Sequence, residues 1–316
     1  MHDVDAAFIM VNDESQIIAY TFTGQDEYIP PDATHVSIHE SVKFVPMLAF
    51  YKHPNLVELI CHKGVKRIEE FAVARCPSLR RVVMLGVEVI ERFAFINCEV
   101  LTHVECEKLE RIGRNAFYSC ISLIHMNLLS VRVVKTAAFF NCQSMTSVSF
   151  GSNLEYFDGG GTFCRCYSLE RVTLPLKNGM IPFSNSAFKA CVKLKQVDLV
   201  EETIPRDTIA ALLMEDWSND LNETIGSIKR ILSRTNPGDD FFNIGRKAIA
   251  IRGWIARIVR KIIHYEAEHQ RLLNETSATL LHVLPADIVI NGILPFLEFP
   301  PHSSDEEFHI KEVSDY

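Results

Sequence analysis

Between Val36 and Leu199 apolar residues return in the same order about every 22 positions. The plainest copies are Ala94-Phe95-Ile96-Asn97-Cys98-Glu99-Val100-Leu101, Ala116-Phe117-Tyr118-Ser119-Cys120-Ile121-Ser122-Leu123 and Ala138-Phe139-Phe140-Asn141-Cys142-Gln143-Ser144-Met145. Looser copies place Phe50 with His53 and Leu56, Val73 with Cys76 and Leu79, Phe163 with Cys166 and Leu169, and Phe188 with Cys191 and Leu194, which makes seven. The step along the His or Cys column is 23, 22, 22, 22, 24 and 25 residues. The later copies therefore carry insertions, at Gly159-Gly160-Gly161 and between Pro175 and Pro182.

Each copy runs on into an apolar triplet such as Leu79, Val82, Met84 or Leu101, Val104, Cys106. The last two members alternate, as one buried face of a strand requires. A unit this short cannot bury its own apolar side, so units must stack into a solenoid with a parallel sheet along one wall. A second apolar pair, Leu109 with Ile112 or Val131 with Val134, closes the coil on the opposite side. Both ends of such a stack need covers. In front, Ala7 to Val11, the turn-forming Asn12-Asp13-Glu14-Ser15, and Ile17 to Phe22 read as a hairpin. Behind, Ile209, Leu213, Trp217, Leu221, Ile225, Ile228 and Leu232 step by three and four, marking an amphipathic helix with Asp207 near its start. Asn236-Pro237-Gly238-Asp239-Asp240 ends it, a long second helix runs from about Ile244 to Leu284, and Asp287 to Leu297 forms a short third one bent at Pro295.

The Ala-Phe-x-x-Cys-x-x-Leu segment joined to a short strand resembles the BspA-like leucine-rich repeats, over roughly Val36 to Leu199. The Leu284-Pro285-Ala286-Asp287-Ile288-Val289 and Leu294-Pro295-Phe296-Leu297 run is similar to the C-terminal part of leucine-rich repeat proteins abundant in diatoms. The expected fold is an α/β-type leucine-rich repeat solenoid with short parallel strands, an N-terminal β-hairpin cap and a C-terminal α-helical cap. It divides into residues 1–35 (hairpin cap), 36–202 (solenoid), 203–300 (helical region) and 301–316 (acidic tail). The resemblance implies a binding scaffold without cofactor or catalytic residues. Bacterial members are often exported adhesins, a role that needs an export signal.

Composition narrows the partners. Apolar residues make up 47% of the chain, enough for a sizeable core, and 32 Lys and Arg against 40 Asp and Glu leave a net charge of −8, unsuited to holding a phosphate backbone. Nucleic acid is not expected. Met1 to Gln25 has no basic start followed by an apolar stretch, and no uncharged apolar run reaches the ~18 residues that span a bilayer. The expectation is a cytoplasmic protein.

Nine cysteines invite metal or redox chemistry. Yet Cys76, Cys98, Cys120, Cys142, Cys166 and Cys191 share one repeat position, where a small side chain with a weak thiol donor suits a narrow interior. Cys61 and Cys106 end strand triplets and read as core, and only Cys164 falls off the interior pattern. Free thiols are expected in a reducing compartment. No zinc site is expected, since four ligands must converge and these point along a line. His62, His103 and His125 come with no nucleophile and orienting carboxylate to make a triad. Gly159-Gly160-Gly161-Thr162 lacks the Lys and following helix of a phosphate loop. The Asn-Glu-Thr triplets at Asn222 and Asn274 matter only in a secreted chain. No enzyme activity is expected.

Residues between the apolar members of each strand project from the outer, usually concave, side of the sheet. The candidate partner-binding set is Glu58, Arg81, His103, Glu105, His125, Asn127, Arg171, Thr173, Gln196 and Asp198, with Ile60 and Val83 among them. Mixed charge, His, Asn and a little apolar surface suit a protein partner better than a uniform polyanion. An alternative lies in the helical region. Between Phe241 and Tyr265 stand Arg246, Lys247, Arg252, Arg257, Arg260 and Lys261 and no acid, with Trp254, Ile258 and Ile263 spaced like the anchors of a calmodulin-target helix. Such a helix can also lie on an anionic membrane. The preceding helix, ending in Lys229, Arg230 and Arg234, offers it poor neutralisation, whereas the acidic tail with Asp305, Glu306 and Glu307 could fold back on it. Leu284-Pro285, Ile293-Leu294 and Leu297 also resemble an F-box core, which would recruit a ubiquitin-ligase adaptor.

Overall fold

In each repeat the alternating residues form a short strand whose apolar members turn inward. The computed structural model describes residues 17–24, 28–157, 160–176, 186–200, 215–233 and 246–290. One parallel sheet stacks Ala19–Phe22, His35–Ile38, Glu58–Cys61, Arg81–Met84, His103–Glu105 and His125–Met126 in chain order. A Leu128 to Phe150 bridge continues it into Ser147–Ser149, Arg171–Leu174 and Gln196–Leu199. A second parallel sheet stacks the two-residue strands Phe44–Val45, Arg67–Ile68, Val89–Ile90, Arg111–Ile112, Val133–Val134 and Tyr156–Phe157. Each ends in the second member of a second apolar pair of the sequence, and that buried residue, such as Ile90 or Ile112, faces the core between the sheets. The chain is therefore a parallel-strand β-solenoid of about seven turns. Ala19–Phe22, read from sequence as a hairpin arm, pairs in parallel with His35–Ile38 and forms a rung of the first sheet. Ala7 to Ser15 lies outside the described residues, as do Gly159 and most of the insertion before Pro182.

Two columns fill the interior. The rings of Phe95, Phe117, Phe139, Phe163 and Phe188 stack one coil upon the next with centroids 5.1, 5.4, 5.4 and 5.9 Å apart and planes within 6° of parallel. Beside them, each cysteine at the shared repeat position donates its thiol to a backbone carbonyl of the preceding coil, among them Cys98 to Val73 at 3.0 Å, Cys120 to Phe95 at 3.2 Å, Cys142 to Phe117 at 3.2 Å and Cys191 to Phe163 at 2.9 Å. His53 holds the same position in an early coil and its Nε2 meets the Pro30 carbonyl at 3.0 Å. The thiol column thus ties coil to coil where a smaller residue would leave a gap and a larger one would spread the rungs.

The corner after the second sheet is made by backbone. In coil after coil two residues four apart have positive φ, including Phe93 and Asn97, Asn115 and Ser119, and Ala137 and Asn141. This left-handed turn aims alternate N–H groups at the next coil: Phe93 donates to Arg114 at 3.0 Å, Phe95 to Ala116 at 2.8 Å and Asn97 to Tyr118 at 2.8 Å. Few of these positions carry glycine. Asn at three of them fits, because its short polar side chain tolerates that conformation.

The last coil is covered by helices spanning Glu215–Gly226, Ile228–Ser233 and Arg246–Leu281, with a short turn at Ala286–Ile288. The single helix expected over Ile209 to Leu232 is broken at Ser227. The carbonyl of Thr224 accepts the Ser227 N–H at 3.2 Å, the Ser227 hydroxyl at 2.7 Å and the Trp254 indole N–H at 2.9 Å, so it is lost to the regular helix ladder. Asp207, Ile209, Leu213, the Asn236 to Asp240 breaker, Ile293 to Leu297 and the acidic tail lie outside the described residues.

Candidate functional site

Strand register decides which of the outward residues meet. Glu58 stands opposite Arg81, and Arg81 opposite His103. Arg81 therefore lies between carboxylates on both neighbouring strands: its guanidinium reaches Glu58 at 2.5 Å, and Glu105, two positions along the next strand from His103, at 2.7 and 3.0 Å. The Glu105 bonds and then those of Glu58 hold the guanidinium more firmly protonated than usual. Beside this group Ile60, 39% exposed, stands opposite Val83. His103 and His125 are paired neighbours, both exposed, and His103 Nδ1 meets the Thr102 hydroxyl at 2.8 Å. Asn127 accepts the Leu129 N–H at 3.1 Å, a local turn bond.

Further along, Arg171 reaches Asp198 at 3.3 Å, and the Gln196 amide donates to the same carboxylate at 2.9 and 3.1 Å. The Thr173 hydroxyl lies 3.4 Å from that of Ser149. The ten candidates thus share one face but fall into two groups, with Ser147 and Ser149 between them. The N-terminal group carries apolar surface and two imidazoles beside its ion pairs. The C-terminal group is smaller and internally paired.

The cysteines are placed for packing. All nine thiols are free and buried. Burial pushes Cys61 and Cys106 up to about 12 and holds Cys120, Cys142, Cys166 and Cys191 well above the ordinary thiol value. Cys164 corrects the sequence reading: it is only 7% exposed, in a column with Tyr118 and Phe140, whose rings stack at 4.7 Å.

The basic helix is also corrected. Trp254 is 1% exposed, Ile258 is buried with it, and the two join the same core as Leu221, Ile228 and Leu232. A calmodulin or membrane partner would need that apolar face, and it is already occupied. Lys247 is buried too, its ammonium 2.6 Å from the Cys191 carbonyl. Nor is neutralisation by the preceding helix lacking: Asp220 accepts from Lys261 at 2.5 Å and from the Tyr265 hydroxyl, and these bonds hold its carboxyl below the usual range.

A groove of about 570 Å³ was not read from the sequence. It follows the outer side of the second sheet and is lined by Met47, Arg67, Glu69, Glu70, Val89, Glu91, Arg92, Arg111, Gly113, Arg114 and Lys135. The strands beneath it have two residues each, too few for alternation to show.

Comparison with known proteins follows the same repeats. The model of the BspA type leucine rich repeat region matches in six copies at residues 21–144 and 88–209, together more than half of the chain. No curated protein matches. Among solved structures, a leucine rich repeat protein of T. pallidum is 21% identical over 58% of this chain and 69% of its own, with a TM-score of 0.32. A leucine rich cell surface protein from Faecalibacterium prausnitzii is 19% identical over 53% of this chain and 60% of its own, with a TM-score of 0.29. The pneumococcal vaccine antigen PcpA is 15% identical over 58% of this chain and 55% of its own, with a TM-score of 0.39. With its repeated Ala-Phe-x-x-Cys-x-x-Leu coils and parallel rungs, the chain belongs to the BspA type leucine-rich repeat family.

Proposed function

We propose that this protein is an intracellular recognition scaffold that binds a protein partner through the outer side of the first sheet, centred on Arg81. Repeats of this family generally mediate protein–protein interaction, and the family is typically non-enzymatic. The observation that carries the reading is the Ile60 and Val83 pair set beside the Glu58, Arg81 and Glu105 ion pairs and the His103 and His125 imidazoles. An apolar centre with a polar rim is how protein interfaces are built. The inner columns repeat from coil to coil while these outer positions do not, so packing alone does not set their identity. Nine free thiols support a reducing compartment. Among the described residues no helix is long and apolar enough to cross a membrane.

Affinity capture tests the proposal. The intact chain is compared with a variant carrying Ile60→Ser, Arg81→Ala and His103→Ala, and with a control carrying Arg257→Ala and Arg260→Ala in the cap. The expected result is a partner kept by the control and lost by the strand variant. A partner retained equally by both would remove the reading.

A further inference from the structure

The groove along the second sheet is separate from the strand face, and charge is sorted along it. At its N-terminal end the carboxylates are engaged: Glu69 accepts the Met47 N–H at 3.0 Å, Glu70 holds Arg92 at 2.7 Å, and Glu91 lies 3.7 Å from Arg67. Toward the other end Arg111 and Arg114 have no ion pair among the described residues, and the Lys135 ammonium sits over the Tyr156 ring at 4.4 Å. This run of cations stands on a chain whose net charge is −8. Between them Gly113 packs against the preceding coil, where a Cβ would come within 2.6 Å of the carbonyl carbon of Glu91. At the opposite end Met47 is 56% exposed.

We propose that this groove binds an extended acidic segment of a partner protein, its carboxylates on Arg111, Arg114 and Lys135 and an apolar side chain on Met47. Free guanidinium groups take carboxylates in paired, charge-assisted hydrogen bonds. From Met47 to Arg114 is three coils, about 14 Å at about 4.8 Å per rung, or roughly four residues of extended chain. Glu69, Glu70 and Glu91 disfavour negative charge in between. The ligand therefore has one apolar residue, then about four uncharged positions, then an acidic run.

The test uses a labelled, end-blocked peptide of about ten residues with that layout, leucine then three glutamates, titrated into the intact chain and followed by fluorescence anisotropy. Binding is expected to be saturable, to weaken at least about tenfold when Arg111→Glu and Arg114→Glu are combined, and to vanish when the glutamates are replaced by glutamine. Met47→Ala should weaken the leucine peptide about threefold and leave a leucine-to-glycine peptide unchanged. The strand variant of the preceding section should bind the peptide normally, which keeps the two surfaces distinguishable. Circular dichroism checks that each variant is folded. Absence of saturation by about 1 mM, equal binding by the double arginine variant, or sedimentation of the chain with phosphatidylserine vesicles through the same arginines would each overturn the proposal.

Discussion

The ammonium of Lys247 lies 2.6 Å from the carbonyl oxygen of Cys191 and 3.2 Å from that of Val192, across 56 and 55 residues of chain. The Val192 carbonyl is the repeat position that, in earlier coils, accepts an N–H from the coil that follows. Glu99 accepts from Ser122 at 3.2 Å, Ile121 from Ser144 at 3.0 Å and Gln143 from Ser168 at 3.2 Å. At the last coil Lys247 takes the place of that donor. Replacing Lys247 by Met keeps the buried stem and removes the charge-assisted bonds, so the expected loss is about 2 kcal/mol in urea unfolding. An unchanged midpoint would show that the carbonyls find other donors.

The thiol column predicts both slow chemistry and alkaline instability. With all nine thiols buried away from solvent, a thiol-directed reagent should label none of them quickly in the native chain and all nine in denaturant. Cys164 should react first. Burial raises its thiol, but the nearby charges of Lys189 and Arg165 oppose that rise.

Raised thiols bind protons more tightly in the folded state than in the unfolded one. Their contribution is intact below the ordinary thiol value near 8.5 and is lost as pH rises from there toward the folded value, about 12 for Cys61 and Cys106. Each such group costs about 1.4 kcal/mol per pH unit in that window. Thermal unfolding should therefore be flat in its thiol contribution up to pH ~8 and fall steeply above pH ~9. A Cys61→Val, Cys106→Val variant should show a shallower fall.

Backbone geometry makes opposite predictions at two nearby positions. Arg75 is an exposed residue held at φ 59°, where Asn fits better, so Arg75→Asn should raise stability by up to about 1 kcal/mol. A Cβ at Gly86 would come within 2.0 Å of the Lys63 carbonyl oxygen, in the preceding coil. Gly86→Ala should cost about 2 kcal/mol or more, because two coils must separate. Denaturant midpoints of the two variants should move in opposite directions.

What the sequence displayed was what repetition amplifies. Phe95, Phe117 and Phe139, or Cys98, Cys120 and Cys142, are legible because each coil imposes the same demand, and strands of three or four residues are long enough to alternate. The outward set from Glu58 to Asp198 followed from that alternation. Its pairings did not, since the Arg81 contacts span 23 and 24 residues and depend on register. Lys247 looked like one cation in a basic run because its partners are carbonyl oxygens, which leave no mark in a sequence. Trp254 and Ile258 looked like anchors for a foreign groove, since an apolar helix face does not say whose apolar surface covers it. Arg111 and Arg114 escaped notice because they sit beside a two-residue strand.

The ion pairs around Arg81 should matter more for recognition than for folding. Its side chain is about half exposed, and so is that of Glu105. Screened by water, such contacts are worth under about 1 kcal/mol, so Arg81→Ala should leave the denaturant midpoint nearly unchanged. Arg81→Glu is a stronger test: it sets a third carboxylate beside Glu58 and Glu105 on adjoining strands, where like charges repel. Because that repulsion acts near the surface, raising salt from about 0.05 to about 1 M should recover most of the loss. If the charge-reversed protein is instead destabilised by several kcal/mol regardless of salt, the Arg81 cluster is a structural pin, and its value to a partner must be judged apart from its place in the sheet.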